Sequence, residues 1–271
     1  MSSSAKTSRG RLVSRVDSLN LPLEPDHQSG FKLYPQFNGS TDKLDFMSCH
    51  VSALVNGHCP HPPHRHPEEE LLLMLAGEAD LILPRLGSSD GPRELRLKPG
   101  QFVYYPAYFP HTLRAAGPKP ANYLMFKWRG TWGSHVGKLA FGHFDTAGFA
   151  SPGTSSNGFH SKLLFEKRTK WLGTLHSHLT VLDPGAGYEP HVDLHDGAIV
   201  VLRGEVECLG RRLRAHGVIY FAAGEPHGMH NPGTEPAHYL VFEFHRRVPL
   251  WRKITDPQRW KRKFKAVLNV G

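Results

Sequence analysis

The stretch GHCPHPPHRHPEEELLLMLAG, Gly57 to Gly77, decides how this chain is read. His64 and His66 are separated by one residue, so on a strand both side chains point to the same face. Glu70 follows four residues later, and Gly77 marks a turn after the apolar run Leu71 to Ala76. A second piece, GQFVYYPAYFPHTLR from Gly100 to Arg114, carries His111 after a strand and a Pro-bearing turn. Imidazoles and a carboxylate are the donors that first-row divalent ions accept readily.

Both pieces recur further along. LLLMLAGEADL (Leu71 to Leu81) aligns with AIVVLRGEVEC (Ala198 to Cys208) at an offset of 127. Carried backward, that offset sets His64 on His191, Pro63 on Pro190, and SALV (Ser52 to Val55) on LTVL (Leu179 to Leu182). Beyond the polar, turn-rich stretch Pro84 to Glu94 the offset becomes 116, matching PHTLRAAG (Pro110 to Gly117) with PHGMHNPG (Pro226 to Gly233). YLMF (Tyr123 to Phe126) then falls on YLVF (Tyr239 to Phe242). Anchors on both sides of one loop-sized indel indicate a duplicated domain, because a hairpin loop lengthens at little entropic cost.

Each copy consists of short β-rich segments such as FVYYP, NYLMFKW, GVIYF and HYLVFEF between Gly/Pro turns, with no helical period. That pattern predicts an antiparallel sandwich or barrel. The expected layout is a flexible basic arm over 1–30, a first domain over 31–140, a Gly/Ser/Pro-rich linker over 141–160, a second domain over 161–245, and a basic tail over 246–271.

Composition agrees. The 271 residues are 39% hydrophobic, enough for a packed core, and 27 Gly with 22 Pro are too many breakers for a long helical bundle. The longest apolar run, Leu71 to Ala76, is far too short to span a bilayer. Cys49, Cys59 and Cys208 are odd in number and share no C-x-x-C spacing, so neither a disulfide framework nor a cysteine zinc site is expected. Without an apolar leader, the expected location is the cytoplasm.

The net charge of +9 is unevenly spread. Residues 246–271 hold nine Lys/Arg against the single Asp256, leaving 24 basic and 23 acidic residues elsewhere. A near-neutral body argues against nucleic acid as a partner. In the tail, Trp260, Phe264 and Val267 form one stripe at helical spacing. A short basic C-terminal helix is therefore expected, docked on the body or meeting a partner.

The spacing H-x-H, three residues, Glu, six residues, Gly resembles the first motif of the cupin superfamily. The Gly, five residues, Pro, four residues, His of Gly100, Pro106 and His111 is similar to the second. The departures are Tyr108, where a Gly is common, and Ala115, where an Asn is common. The resemblance covers about Phe31 to His245. It implies an all-β bicupin of two tandem jelly-roll barrels. It also implies one divalent transition metal per chain at His64, His66, Glu70 and His111, with Fe leading and Mn, Ni, Zn or Cu compatible.

In the second copy His191 is retained, Asp193 replaces the second His, Gly197 replaces the Glu, and His227 fills the last position. His191, Asp193, His195 and His227, with His230 nearby, form a possible second site; the alternative is a barrel kept for packing. The resemblance implies a metal-dependent enzyme on a small organic substrate, an Fe(II)-type oxygenase first. The alternatives are a Lewis-acid isomerase, lyase or aminohydrolase using Mn, Zn or Ni, and a metal-dependent binder or sensor. Tyr104 is the candidate proton donor and Arg114 the candidate partner for a substrate carboxylate. A homo-oligomer, a dimer, is expected.

Overall fold

The computed structural model describes residues 10–83, 93–131, 133, 139–147 and 158–246. The tail stripe of Trp260, Phe264 and Val267, and with it the expected C-terminal helix, lies outside the described residues. Those described form nineteen strands and no helix; among them no helix is long and apolar enough to cross a membrane.

The first copy comprises β2 (Phe31–Gly39), β3 (Phe46–Leu54), β4 (Glu69–Ala76), β5 (Glu78–Leu83), β6 (Arg93–Leu97), β7 (Gln101–Tyr105), β8 (Thr112–Ala116), β9 (Ala121–Arg129) and β10 (Gly142–Asp145). The second comprises β11 (Phe159–Lys167), β12 (Leu172–Leu182), β13 (Gly187–Val192), β14 (Asp196–Arg203), β15 (Glu205–Cys208), β16 (Arg211–Arg214), β17 (Val218–Phe221), β18 (Pro226–His230) and β19 (Ala237–Arg246). In barrel 1 the six-stranded sheet β10-β7-β4-β9-β3-β2 is accompanied by the smaller sheet β6-β5-β8. In barrel 2 the sheet β1-β17-β14-β19-β12-β11 is accompanied by β13-β18-β15-β16, with β1 (Arg15–Asp17) supplied by the N-terminus.

The runs LLLMLA and AIVVL are continuous rather than alternating because both faces of the large sheets are covered. One face lines its own barrel: Leu72, Met74 and Tyr105 in the first, Ile199, Val241 and Phe221 in the second. The other faces of the two sheets pack together in a shared core. Phe102 and Phe126 meet Phe242 at ring distances of 5.4 and 6.1 Å, and Trp128 meets Phe244 at 5.1 Å. A sheet buried on both sides has no polar face to display.

Two parts of the expected layout shift. The arm 1–30 is not free from residue 10 onward: Val16 pairs with Ile219, so β1 closes the edge of barrel 2 at β17. The linker 141–160 likewise contains β10, which pairs with β7, Gly142 opposite Tyr104, and closes the corresponding edge of barrel 1. Each segment satisfies backbone groups that an open edge would leave unpaired.

The repeat also slips by one residue at its first strand. Ser52 pairs with Tyr123 and Thr180 with Tyr239, so SALV matches TVLD rather than LTVL. Since side chains alternate, that single step sets His178 opposite Val241 where His50 stands opposite Met125. Gly77 and Gly204 hold their positions for one reason. Both have positive φ, 67° and 74°, and a Cβ would collide with the carbonyl of Pro120 or Pro236.

Candidate metal centre

His64 and His66 precede β4, Glu70 is its second residue, and His111 precedes β8. The chain brings them together by pairing: His64 N–H donates to His111 O at 3.2 Å and His111 N–H to His64 O at 3.1 Å. The rings of His64, His66 and His111 stand 4.9–5.3 Å apart. One nitrogen from each lies within 4.8 Å of the others.

Glu70 is fully buried at the centre. Its Oε1 lies 3.0 Å from His66 Nε2 and its Oε2 lies 2.9 Å from His111 Nε2. Lys127 Nζ also contacts Oε1, because β9 pairs with β4 with Lys127 directly opposite Glu70. Yet neither carboxylate oxygen has an aligned hydrogen bond, and neither has any nitrogen of His66. Buried polar atoms at contact distance without hydrogen-bond alignment are the signature of donors converging on a shared point. Three imidazoles and one carboxylate suit a first-row divalent ion, so these residues fit the metal that the motif implies.

Burial by itself would raise the Glu70 carboxyl. His111, His66 and Lys127 outweigh it and hold the group well below the usual range, so it is anionic and ready to ligate. Burial, then the neighbouring imidazoles, push His64 down to about 4, which keeps a lone pair on it at neutral pH. His50 on β3 is also lowered to about 4, by burial and then by Lys127. It adds no positive charge beside the donors. His111 Nδ1 lies 2.8 Å from Phe109 O, an arrangement that places the proton on Nδ1 and frees Nε2 toward Glu70. His66 Nδ1 faces Glu68 at 3.4 Å.

The proposed catalytic pair is not at this centre. Tyr104 points the other way, into the shared core beside Trp128 at 6.2 Å. Tyr105 takes the inner position, its ring stacked on His111 at 4.3 Å and its hydroxyl buried without a partner. Alternation decides this: Tyr105 stands opposite Glu70 on β4, and Tyr104 opposite Leu71. Arg114 is engaged outside the barrel, 3.1 Å from Glu94 and 3.4 Å from Asp80.

Lys127, His50 and Tyr105 are the residues of the centre that motif spacing does not reveal. Their signal is alternation alone, with Tyr123, Met125 and Lys127 sharing the inner face of β9. Tyr108 occupies its Gly-favouring position with φ of 63°, a left-handed conformation uncommon outside glycine, and donates to His66 O at 2.7 Å. His58 and His61 are half-buried rather than exposed, and the His61 ring packs edge-on against His64 at 4.0 Å.

In barrel 2 the structure gathers His191, Asp193 and His227, with Asp193 at 3.6 and 3.4 Å from the two imidazoles. His195 stands 3.8 Å from Asp193 and closer, 3.3 Å, to Glu243; His230 is exposed on β18. A cavity of about 350 Å³ opens among His191, Asp193, His195, His227 and Glu243, next to Gly197.

A family model described as a cupin domain matches residues 51–127 and 178–243. A curated relative, the dimethylsulfoniopropionate lyase DddQ of Ruegeria pomeroyi, is 37% identical over 70 residues. The match takes in 26% of this chain and spans only 31% of that relative's length. Among solved structures, a putative glyoxylate-induced protein of Pseudomonas aeruginosa superposes with TM-score 0.62 at 14% identity, covering 82% of each chain. A variant of Bacillus subtilis oxalate decarboxylase superposes with TM-score 0.57 at 16% identity, covering 98% of this chain and 86% of that one. At such identities the structural likeness speaks for the fold alone.

Proposed function

The chain belongs to the cupin family, and from that premise we propose that barrel 1 is the active centre of a metal-dependent enzyme acting on a small anionic organic substrate by lyase-type elimination. The observation that carries the proposal is that His64, His66 and His111 bring one nitrogen each within 4.8 Å of one another, with the fully buried, anionic Glu70 3.0 and 2.9 Å from His66 and His111. Those four side chains would hold the ion, which when bound supplies Lewis-acid polarisation of a substrate oxygen.

The rest falls to the chain's own groups. Lys127, whose ammonium faces Glu70, supplies positive charge to attract a carboxylate. Burial and then Glu70 push the Tyr105 phenol well above its usual range, so its unpartnered Oη keeps its proton and is available to donate a hydrogen bond to a substrate inside the barrel. Tyr105 and Phe109 form a stacked apolar wall beside His111 that excludes water. The likeness to a lyase supports this reaction class. In an elimination from a β-sulfonium carboxylate, a C–H and a C–S bond break, a C=C bond forms, and the sulfide leaves while a base takes the proton.

A second reading, the Fe(II) oxygenase, is favoured by the nitrogen-rich ligand set, which suits non-haem iron. One experiment divides them. Metal-free protein is loaded with Fe(II), Mn(II) or Zn(II) and assayed on dimethylsulfoniopropionate and related β-substituted carboxylates, with and without O2. The lyase reading expects sulfide release without O2 and with a redox-inert ion. Turnover restricted to Fe(II), with stoichiometric O2 uptake, moves the protein to the oxygenase reading.

A further inference from the structure

The second barrel carries an H-x-H pair of its own, on a different strand from the degenerate box. His176 and His178 lie on β12, and being two residues apart they face the same way. Each stands opposite a β19 residue of the same face, His176 opposite Glu243 and His178 opposite Val241. Glu243 in turn stands opposite Gly197 on β14. In barrel 1 the corresponding cross-strand pair is Lys127 and Glu70. The carboxylate has thus moved one strand over, from β4 in the first copy to β19 in the second, where Gly197, opposite Glu243, contributes no side chain.

We propose that His176, His178 and Glu243 form a second divalent transition-metal site, distinct from the box at His191, Asp193 and His227 and independent of what barrel 1 catalyses. One donor atom from each of the three lies within 4.8 Å of the others, and His176 Nε2 is 3.0 Å from His178 Nδ1, the spacing of neighbouring ligands on one ion. The surroundings are already those of a ligand set. Glu166 Oε2 lies 3.0 Å from His176 Nδ1, which places the proton there and makes Nε2 the lone-pair nitrogen; it accepts from His178 Nδ1 in the metal-free protein and would turn to the ion, the carboxylate–histidine arrangement of metal sites. Glu243 Oε2 lies 2.8 Å from His245 Nε2 and 3.3 Å from His195 Nε2, so a second pair of imidazoles shares this carboxylate, and an ion at His176 and His178 would take Oε1.

Two imidazoles and one carboxylate form the triad that leaves coordination positions open in non-haem iron and related centres. Here those positions adjoin the cavity that Glu243 and His178 line. The box at His191 and Asp193 is the poorer candidate: those side chains are 47% and 36% exposed, against 21% for His176 and 24% for Glu243.

Co(II) titration of untagged, metal-free, full-length protein tests this, because its visible bands report coordination and its stoichiometry counts sites. Wild type is expected to take two Co(II) per chain. Glu243→Gln and His178→Asn should each take one, and His227→Asn two. Glu166→Gln changes a side chain that is 58% exposed and keeps its shape; it should weaken the second site about 10–100-fold while leaving the first unchanged. A single site in wild type overturns the proposal. So does loss of the second ion in His227→Asn with retention in Glu243→Gln, or an unchanged second affinity in Glu166→Gln.

Discussion

Glu69 and Glu70 are chemically identical neighbours whose replacement by Gln should produce opposite defects. Glu69 is fully buried and faces away from the metal centre, toward the connection between β11 and β12 of barrel 2. Its Oε2 accepts from Trp128 Nε1 at 2.8 Å and Thr169 Oγ1 at 2.6 Å; its Oε1 accepts from the Lys170 and Trp171 amides at 2.6 and 3.3 Å. In Glu69→Gln the amide oxygen can keep the two backbone donors, but the new NH2 faces two donors. Thr169 can rotate. The indole N–H of Trp128 cannot, and an unpaired buried donor costs about 1–3 kcal/mol. The bonds that remain lose their charge assistance, roughly another 1 kcal/mol each. Part is offset because burial raises the Glu69 carboxyl, so the charge itself is disfavoured there. The net expectation is a loss of about 2–4 kcal/mol, or about 4–16 °C in Tm for a chain of this size.

The assay is thermal unfolding of metal-free protein, so that bound ion does not mask the difference, paired with metal titration of the folded variant. Glu69→Gln should melt early and bind metal normally. Glu70→Gln should stay folded and lose at least about 100-fold in metal affinity, since it removes the only charged ligand. The reasoning is refuted if Glu69→Gln melts within about 1 °C of wild type, or if the two variants share one phenotype.

Tyr105→Phe should keep the metal and fold but lower turnover by about 10²-fold, the scale of a lost proton donor, while Tyr104→Phe leaves kcat unchanged; steady-state kinetics on the two variants separates them. Lys127→Met removes the ammonium that competes for Glu70, so metal should bind at least about 10-fold tighter by calorimetry, while the metal-free form, its buried carboxylate left with imidazoles alone, melts earlier. His50 has a folded pKa of about 4 against an ordinary value of 6.5. The stability from keeping it neutral is therefore present above about 6.5 and is lost as pH falls toward 4, approaching about 3 kcal/mol. His50→Asn should flatten that acid limb in urea melts, only in part, because His64 and His178 are lowered to the same value.

The one-dimensional pattern determined the kind of fold and the outline of the centre. Alternating or doubly buried strands between glycine turns leave a barrel as the way to bury so much apolar β, and the two repeats made the duplication visible at Gly77 and Gly204. His64, His66, Glu70 and His111 were legible because strand geometry turns fixed spacing into a shared face. Cross-strand register was not legible, for it depends on how distant segments pair. Register placed Lys127 opposite Glu70, turned Tyr105 inward and Tyr104 outward, slipped SALV by one residue, and carried a carboxylate from one strand to its neighbour at Glu243. Arg114 followed the same logic: the reach of a long side chain permits either direction, and the carboxylates of Asp80 on the adjoining strand and Glu94 on the strand beyond it decided it. Tertiary pairing also claimed Arg15–Asp17, from a stretch whose polar composition reads as a free arm, because an open edge at β17 had backbone groups to satisfy.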